Sequence, residues 1–316
     1  MPANHGHRMG FSFFISMAAL LWVFVGCSIY YHYHVATNYA ERGQDAGHGS
    51  DMGFLWISVY IALILTLVLF RQARIWGRMI NRLQEKENSK LKRQLSVNMS
   101  HELKTPVASI QGYIETILQN PEMDEAQRTQ FLSRCHIQTQ RLTSLLRDIN
   151  TLNRMDEAPE QLEITNLDLN PLISGIMSDV QLALSQRRMD IKVEIPEEIP
   201  IMGNEGLLYS IFRNLLDNSI AYAGDGTTIR LACTGTRNGL WHFQYSDNGV
   251  GISDEHLPNI FNRFYRVDKG RSRRIGGTGL GLAIVKNAVL FHGGQISAHQ
   301  SPVGGLCFDF SLRASQ

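Results

Sequence analysis

Two uncharged apolar runs in the first quarter of the chain narrow its folding options most. Phe11 to Tyr31 gives 21 residues without a charge, and Gly53 to Phe70 gives 18. At about 1.5 Å of helical rise per residue, each run roughly matches a hydrocarbon core of about 30 Å. The first run is long for a signal peptide and lacks a small-residue cleavage site at its end. Tyr30, Tyr31 and Tyr33 behind it read as an interfacial aromatic belt. Two spans, about 11–31 and 53–70, are therefore expected within a membrane anchor at 1–70. Arg71, Arg74, Arg78 and Arg82 crowd the exit of the second span, and Arg8 precedes the first. The connecting loop, 32–52, has only Arg42 against Glu41, Asp45 and Asp51. The positive-inside rule then places both termini in the cytoplasm, with a multi-pass anchor in the cytoplasmic (inner) membrane.

That loop is too short to bury a core of its own. Its His32, His34 and His48, with Glu41, Asp45 and Asp51, leave two readings open. One is a metal- or acid-responsive cluster, the other a polar turn between spans. A net charge of +1 argues against a dedicated nucleic-acid binder. Cys27, Cys135, Cys233 and Cys307 are scattered and offer neither a zinc knuckle nor a disulfide framework.

Beyond the spans, 71–96 is charged, with Ile80, Leu83, Leu91 and Leu95 in a broken apolar stripe. It reads as a cytoplasmic signalling helix. A helical hairpin is expected over 97–155. Asn120-Pro121 breaks it, because the residue before proline is pushed out of the α region. Phe131, Cys135, Leu142, Leu145, Ile149 and Leu152 recur at helical spacing on its second arm. One hairpin cannot cover both apolar stripes, so a homodimeric four-helix bundle is expected. The stretch 156–161 reads as a linker. Over 162–316 helices at 169–186, 206–222 and 281–291 mix with five strands, and Asn238-Gly239 marks a hairpin turn. That pattern predicts an α+β sandwich with helices on one face of a mixed sheet.

Four motifs lie on this framework. Ser100-His101-Glu102-Leu103-Lys104-Thr105-Pro106 puts a histidine and a threonine one helical turn apart on the first arm of the hairpin. Asn214 and Asn218 share one face of a helix whose opposite face carries Leu208, Ile211 and Leu215. Asp247-Asn248-Gly249-Val250-Gly251 follows a strand. Gly277-Thr278-Gly279-Leu280-Gly281 opens a helix, and backbone amides at such a start suit a phosphate. Amide oxygens such as those of the two asparagines suit magnesium. Imidazole offers a neutral nucleophilic nitrogen at physiological pH.

In this order, the motifs resemble a membrane-bound sensor histidine kinase of a two-component system. From about Leu162 to Leu312 the chain looks like the ATP-binding domain that these kinases share with DNA gyrase, a chaperone family and MutL. The resemblance implies that His101 accepts a phosphoryl group, that Glu102 acts as base or orients the imidazole, and that Thr105 serves a phosphatase step. It further implies that Asn218, with Asn214 nearby, holds Mg2+, and that Asp247 accepts from the adenine of ATP. Gly249, Gly251, Thr278, Gly279, Leu280, Gly281 and Arg266 are the other implied nucleotide contacts. Phe261-Asn262-Arg263-Phe264-Tyr265-Arg266 matches the family's phenylalanine box. A lid with Lys269, Arg271, Arg273 and Arg274 follows it. The implied partner is the receiver domain of a cytoplasmic response regulator. Ala221 departs from the pattern, which commonly has a basic residue there. A catalytically weak homologue acting mainly as regulator phosphatase, and a non-enzymatic membrane scaffold, are the alternatives.

Overall fold

Proline and a polar turn divide the helical half of the molecule. In the computed structural model the first long helix, α1 (His48–Gln119), stops immediately before the Asn120-Pro121 pair, and α2 runs from Glu125 to Glu157. The structure describes residues 16–315 apart from positions 18, 24, 28, 32, 35, 36, 39–47 and 269–276. The chain divides into two compact units, Met1–Gln94 and Leu95–Gln316.

In the first unit, Val59–Leu83 is, among the described residues, the one helical stretch long and apolar enough to cross a membrane. It lies further along the chain than the expected 53–70. Its apolar side chains point outwards, Tyr60 and Leu67 among them, which suits a lipid environment better than water. A shorter apolar helical piece covers Ala19–Tyr31. Arg8, His32, Glu41, Arg42 and Asp45 lie outside the described residues, as do the side chains of His48 and Asp51. His34 is described, with its Nδ1 3.2 Å from the Asn38 amide nitrogen.

The second unit holds the α1–α2 hairpin arms and a mixed α/β body. The body contains β1 (Thr165–Asp168), α3 (Leu169–Gln186), β2 (Asp190–Glu194), β3 (Pro200–Gly203), α4 (Glu205–Tyr222), β4 (Thr228–Arg237), β5 (Leu240–Asp247), α5 (Gly281–Phe291), β6 (Ile296–Gln300) and β7 (Leu306–Arg313). Five strands form one sheet in the order β2-β4-β5-β7-β6, in which β2 and β4 are parallel and the other pairs antiparallel. Asn238 and Gly239 both take positive φ between β4 and β5, as a two-residue hairpin turn requires. The segment read as linker and beyond is more ordered than expected. It makes a 3-10 turn at Pro159–Gln161, and β1 pairs with β3 in a second, two-stranded sheet. Strands of four residues carry too short an alternation to register as a pattern.

Alternation along β7 separates the two faces of the sheet. Leu306, Phe308, Phe310 and Leu312 join the core cluster with Ile211, Phe212 and Leu215 of α4 and Val285 and Val289 of α5. Phe243 of β5 stacks on Phe310 at 5.2 Å, and Phe212 meets both rings edge-on. The other face is polar and faces solvent, as a one-sided antiparallel sheet should.

Side-chain caps fix the helix starts. The Asp168 carboxylate accepts from Asn170 N and, at 2.9 Å, from Ile199 N. Asn204 Oδ1 accepts from Leu207 N at 3.0 Å, while the Asn204 backbone N–H donates to Nε2 of buried His292. His292 Nδ1 donates to Ala288 O, so both ring nitrogens are satisfied in the neutral tautomer. Burial pushes this imidazole below its ordinary 6.5. The unfolded chain therefore takes up the proton first. Its contribution to stability is complete above about 6.5 and is lost as the pH falls below that value. We expect the urea midpoint of the full chain, followed by tryptophan fluorescence, to drop between pH 7 and pH 5. That drop should shrink in His292→Gln; an equal drop would show that other groups carry it.

Candidate functional site

Helix α4 turns one face to the core and the other to a cavity. Leu208, Ile211 and Leu215 are fully buried. On the other side, Asn214 and Asn218 line a cavity of about 730 Å³ together with Asp247, Gly251, Arg266, Thr278, Gly279 and Gly281. The four sequence motifs thus divide: three meet around one space, and the His101 motif does not line it.

Asp247 ends β5 and is 5% exposed. Its Oδ2 accepts from Ser219 Oγ at 2.9 Å, and its Oδ1 accepts from Gly249 N at 3.0 Å and Leu306 N at 3.4 Å. Donors on both oxygens hold the carboxylate in one orientation against the cavity. Gly305, at φ +78°, allows the turn into β7 to approach, since a Cβ there would lie 2.3 Å from Asp247 Oδ1. Tyr245 OH donates to Leu215 O at 3.1 Å, tying β5 to α4, and burial pushes its phenol well above the ordinary range.

The start of α5 closes the other wall. Gly279, at φ +72°, turns its carbonyl to Phe264 N at 2.8 Å, so the phenylalanine box is bound to the glycine-rich segment before α5. A Cβ on Gly281 would lie 2.7 Å from Asn214 Oδ1. The amide nitrogen of Asn214 is committed to Ser210 O at 2.7 Å. Its oxygen is therefore the atom left facing the α5 start. An oxygen in that place, with Asn218 one turn on, fits a hard cation or its waters.

Arg266 and Thr278 reach beyond the cavity to the hairpin. Arg266 Nη2 donates to Glu102 Oε2 at 2.9 Å, and Arg141 Nη2 lies 3.7 Å from the same oxygen. The Arg266 side chain is only 7% exposed, and its buried Nε has no hydrogen-bond partner. Thr278 Oγ1 donates to Asp148 Oδ2 at 2.9 Å and accepts from Leu280 N at 3.2 Å. Burial raises the Asp148 carboxyl above the usual range, partly countered by the Thr278 bond. Arg263 forks onto Asp156 at 2.7 and 2.9 Å. Between these polar ties lies a separate apolar cluster, in which Leu145, Ile149 and Leu152 of α2 pack on Leu280 and Ile284.

These contacts place the predicted residues individually. Glu102 engages two guanidinium groups rather than the His101 ring. Neighbouring residues on a helix point in different directions, and the cations outcompete an imidazole for the carboxylate. Leu280 is fully buried in the apolar cluster and its amide is bonded to Thr278, so it does not line the cavity. Gly249 spends its amide on Asp247 and supports the cavity from behind. Leu145, Ile149 and Leu152 of the second arm pack on Leu280 and Ile284, with Met99 and Leu103 of α1 against the same cluster. His101 is exposed and lines a shallow groove with Lys104, Thr105, Ala108 and Ser109. Thr105 Oγ1 donates to His101 O at 3.2 Å. Gly251 lines the cavity at φ +60°. Lys269, Arg271, Arg273 and Arg274 lie outside the described residues. Ala221 lines the cavity without adding charge; Arg147 and Arg213 line it too, Arg213 paired with Asp217 at 3.0 Å.

Sequence reasoning missed Ser144, Arg147, Asp148 and Thr151, all on α2 and all lining the cavity. The signal was present as a polar stripe at 3-4 spacing beside the apolar one.

Comparison with known proteins agrees with this geometry. Residues 91–158 match the family described as the His Kinase A (phospho-acceptor) domain, and residues 203–316 match the histidine kinase-, DNA gyrase B-, and HSP90-like ATPases. The chain is 33% identical over 221 residues to the sensor-like histidine kinase SenX3 of Mycolicibacterium smegmatis, covering 70% of this chain and 57% of that one. It is 31% identical over 252 residues to the phosphate regulon sensor protein PhoR of Pseudomonas aeruginosa, covering 80% and 56%. The chain thus spans a little over half the length of these relatives. Among solved structures, the Acinetobacter baumannii histidine kinase AdeS shares the fold with a TM-score of 0.54 at 22% identity, over 68% of this chain and 98% of that one. The histidine kinase ThkA, in its complex with the response regulator protein TrrA, does so with 0.56 at 20%, over 73% and 66%. A phosphoacceptor match on the hairpin, an ATPase match on the α/β body and relatives that carry both make the chain a member of the sensor histidine kinases of two-component systems.

Proposed function

We propose that the protein is an ATP-dependent protein-histidine kinase that phosphorylates His101 and passes the phosphoryl group to an aspartate of a response regulator. The observation that carries this reading is the cavity. A fixed carboxylate, two asparagines on one helix face and a glycine-rich helix start converge on it. Asp247 would accept from the adenine amino group. The α5 start, with Gly279 and Gly281, would receive phosphate oxygens. Asn218 and Asn214 would hold Mg2+, which neutralises phosphate charge in such transfers. A neutral His101 nitrogen attacks the γ-phosphorus, the bond to the β-bridging oxygen breaks, ADP leaves and the ring proton passes to solvent or base. Glu102 becomes available for that proton only when released from Arg266.

A second reading has its own support. With His101 outside the cavity and Arg266 held by Glu102, the present arrangement presents His101, Lys104 and Thr105 together in an open groove. That exposure suits regulator dephosphorylation, with Thr105 orienting water. We read the two activities as alternate states of one enzyme. Val107, Ile114, Leu118 and Leu132 remain exposed on the hairpin, which supports a homodimeric bundle over 97–155. The apolar stretches near the amino terminus support a two-span anchor in the inner membrane, with both termini cytoplasmic.

Incubating the full chain in detergent with γ-labelled ATP and magnesium tests the kinase. Acid-labile, base-stable label is expected on the wild type and none on His101→Gln. Equal label on both would refute His101 as acceptor, and no label on a wild type that still binds nucleotide would leave the phosphatase reading.

A further inference from the structure

The solvent face of the sheet carries a cluster that the nucleotide cavity does not use. Register places Arg230, Ser246, Cys307 and His299 side by side across four strands, with Ala232, Gln244, Asp309 and Ser297 in the adjacent row. Most polar groups here are paired. Arg230 binds Glu194, and Gln244 Nε2 donates to Asp309 Oδ1 at 3.0 Å. Cys307 differs. Its neighbours Leu306 and Phe308 belong to the core cluster, so its own side chain turns to the polar face. It is nevertheless 1% exposed, because His299, Asp309 and Ser246 surround it. Among the described residues its thiol makes no disulfide and has no hydrogen-bond partner.

We propose that His299, Cys307 and Asp309 form a binding site for a thiophilic divalent cation of the zinc type, with water in the fourth position. One ligand atom from each residue lies within 4.8 Å of the other two. His299 Nδ1 and Asp309 Oδ2 are already 3.4 Å apart. Zinc bonds of about 2.0 Å to N and O and about 2.3 Å to S place ligand atoms roughly 3.3–3.6 Å apart. The sulfur therefore needs to close by at most about 1.3 Å. The His299 side chain is 47% exposed and can turn to meet it. Asp309 is prepared as a ligand. Gln244 holds Oδ1, Arg230 Nη1 donates to Gln244 Oε1 at 3.3 Å, and Oδ2 is the oxygen turned to His299. An outer partner of this kind orients the inner ligand. The sheet itself fixes the spacing, with His299 directly across from Cys307 and Asp309 two residues along the same strand and face. A thiol among the ligands disfavours magnesium and calcium. Binding exchanges the thiol proton for the metal, releases that proton to solvent and changes no oxidation state.

The test uses the full chain in detergent, titrated with Co2+ as a spectroscopic stand-in and with Zn2+ against a chromophoric chelator. One equivalent of Co2+ should give a sulfur-to-cobalt charge-transfer band, which loop histidines cannot produce. Cys307→Ser should abolish the band. His299→Ala, a change at a half-exposed residue that leaves the core intact, should weaken Zn2+ binding at least about tenfold. A variant with Cys27, Cys135 and Cys233 all changed to serine should keep both signals. The site is overturned if the wild type shows no such band, if the band survives Cys307→Ser, or if it vanishes in the triple variant.

Discussion

Asp247→Asn should reduce ATP binding by roughly 100-fold or more, about 3 kcal/mol, while leaving the α/β body folded. The carboxylate receives three donors, from Ser219, Gly249 and Leu306. An amide of the same shape offers one acceptor oxygen in place of two, and its NH2 must face at least one N–H or O–H donor. The conflict falls on the atoms that set the orientation of the group toward the cavity. Rotating to relieve it would turn the remaining acceptor away from an incoming adenine. The core cluster does not include Asp247, so circular dichroism should stay close to wild type. Isothermal titration with a non-hydrolysable ATP analogue measures the effect, and an affinity within threefold of wild type would contradict the adenine contact.

The second large effect is expected from Ile149→Asp. Ile149 is 5% exposed among Leu145, Leu152, Leu280 and Ile284, a cluster separate from the core of the α/β body. A carboxylate without a partner in such a place costs several kcal/mol. Undocking the α/β body from α2 avoids that cost and leaves each part with its own fold. Residues 158–164 should then become sensitive to limited proteolysis. ATP affinity should rise at least about tenfold, because undocking frees Arg266 and removes the Asp148 carboxylate from the cavity wall. Docking should also tighten in acid. Asp148 has its carboxyl raised, so its charged form opposes docking. Its contribution is favourable below the ordinary carboxylate range and is lost as the pH rises through the docked-state value. Unchanged protease sensitivity and unchanged ATP affinity in Ile149→Asp would rule out this account.

Much of the architecture could be read before the structure. Pro121 marked the hairpin, Asn238-Gly239 the strand turn, and the i, i+4 asparagines the cavity-facing side of α4. These signals are local, so a linear pattern carries them. What escaped were long-range substitutions of partner. Nothing near Glu102 announces that Arg266, 164 positions away, will take its carboxylate. Leu280 sits in a motif with four polar or glycine neighbours, and only the approach of α2 makes it apolar core. Asp148 and Thr278 are ordinary residues until the two elements meet. In each case periodicity gave the face and the third dimension supplied the neighbour.

Arg266 belongs to two circuits at once. It lines the space proposed for ATP, and it grips the residue beside His101. A single guanidinium cannot serve a triphosphate and Glu102 equally. Thermodynamic reciprocity then requires that the factor by which bound nucleotide favours release of this grip equals the factor by which release of the grip strengthens nucleotide binding. On the reading proposed above, nucleotide concentration would therefore set how tightly this grip holds before anything else acts on it.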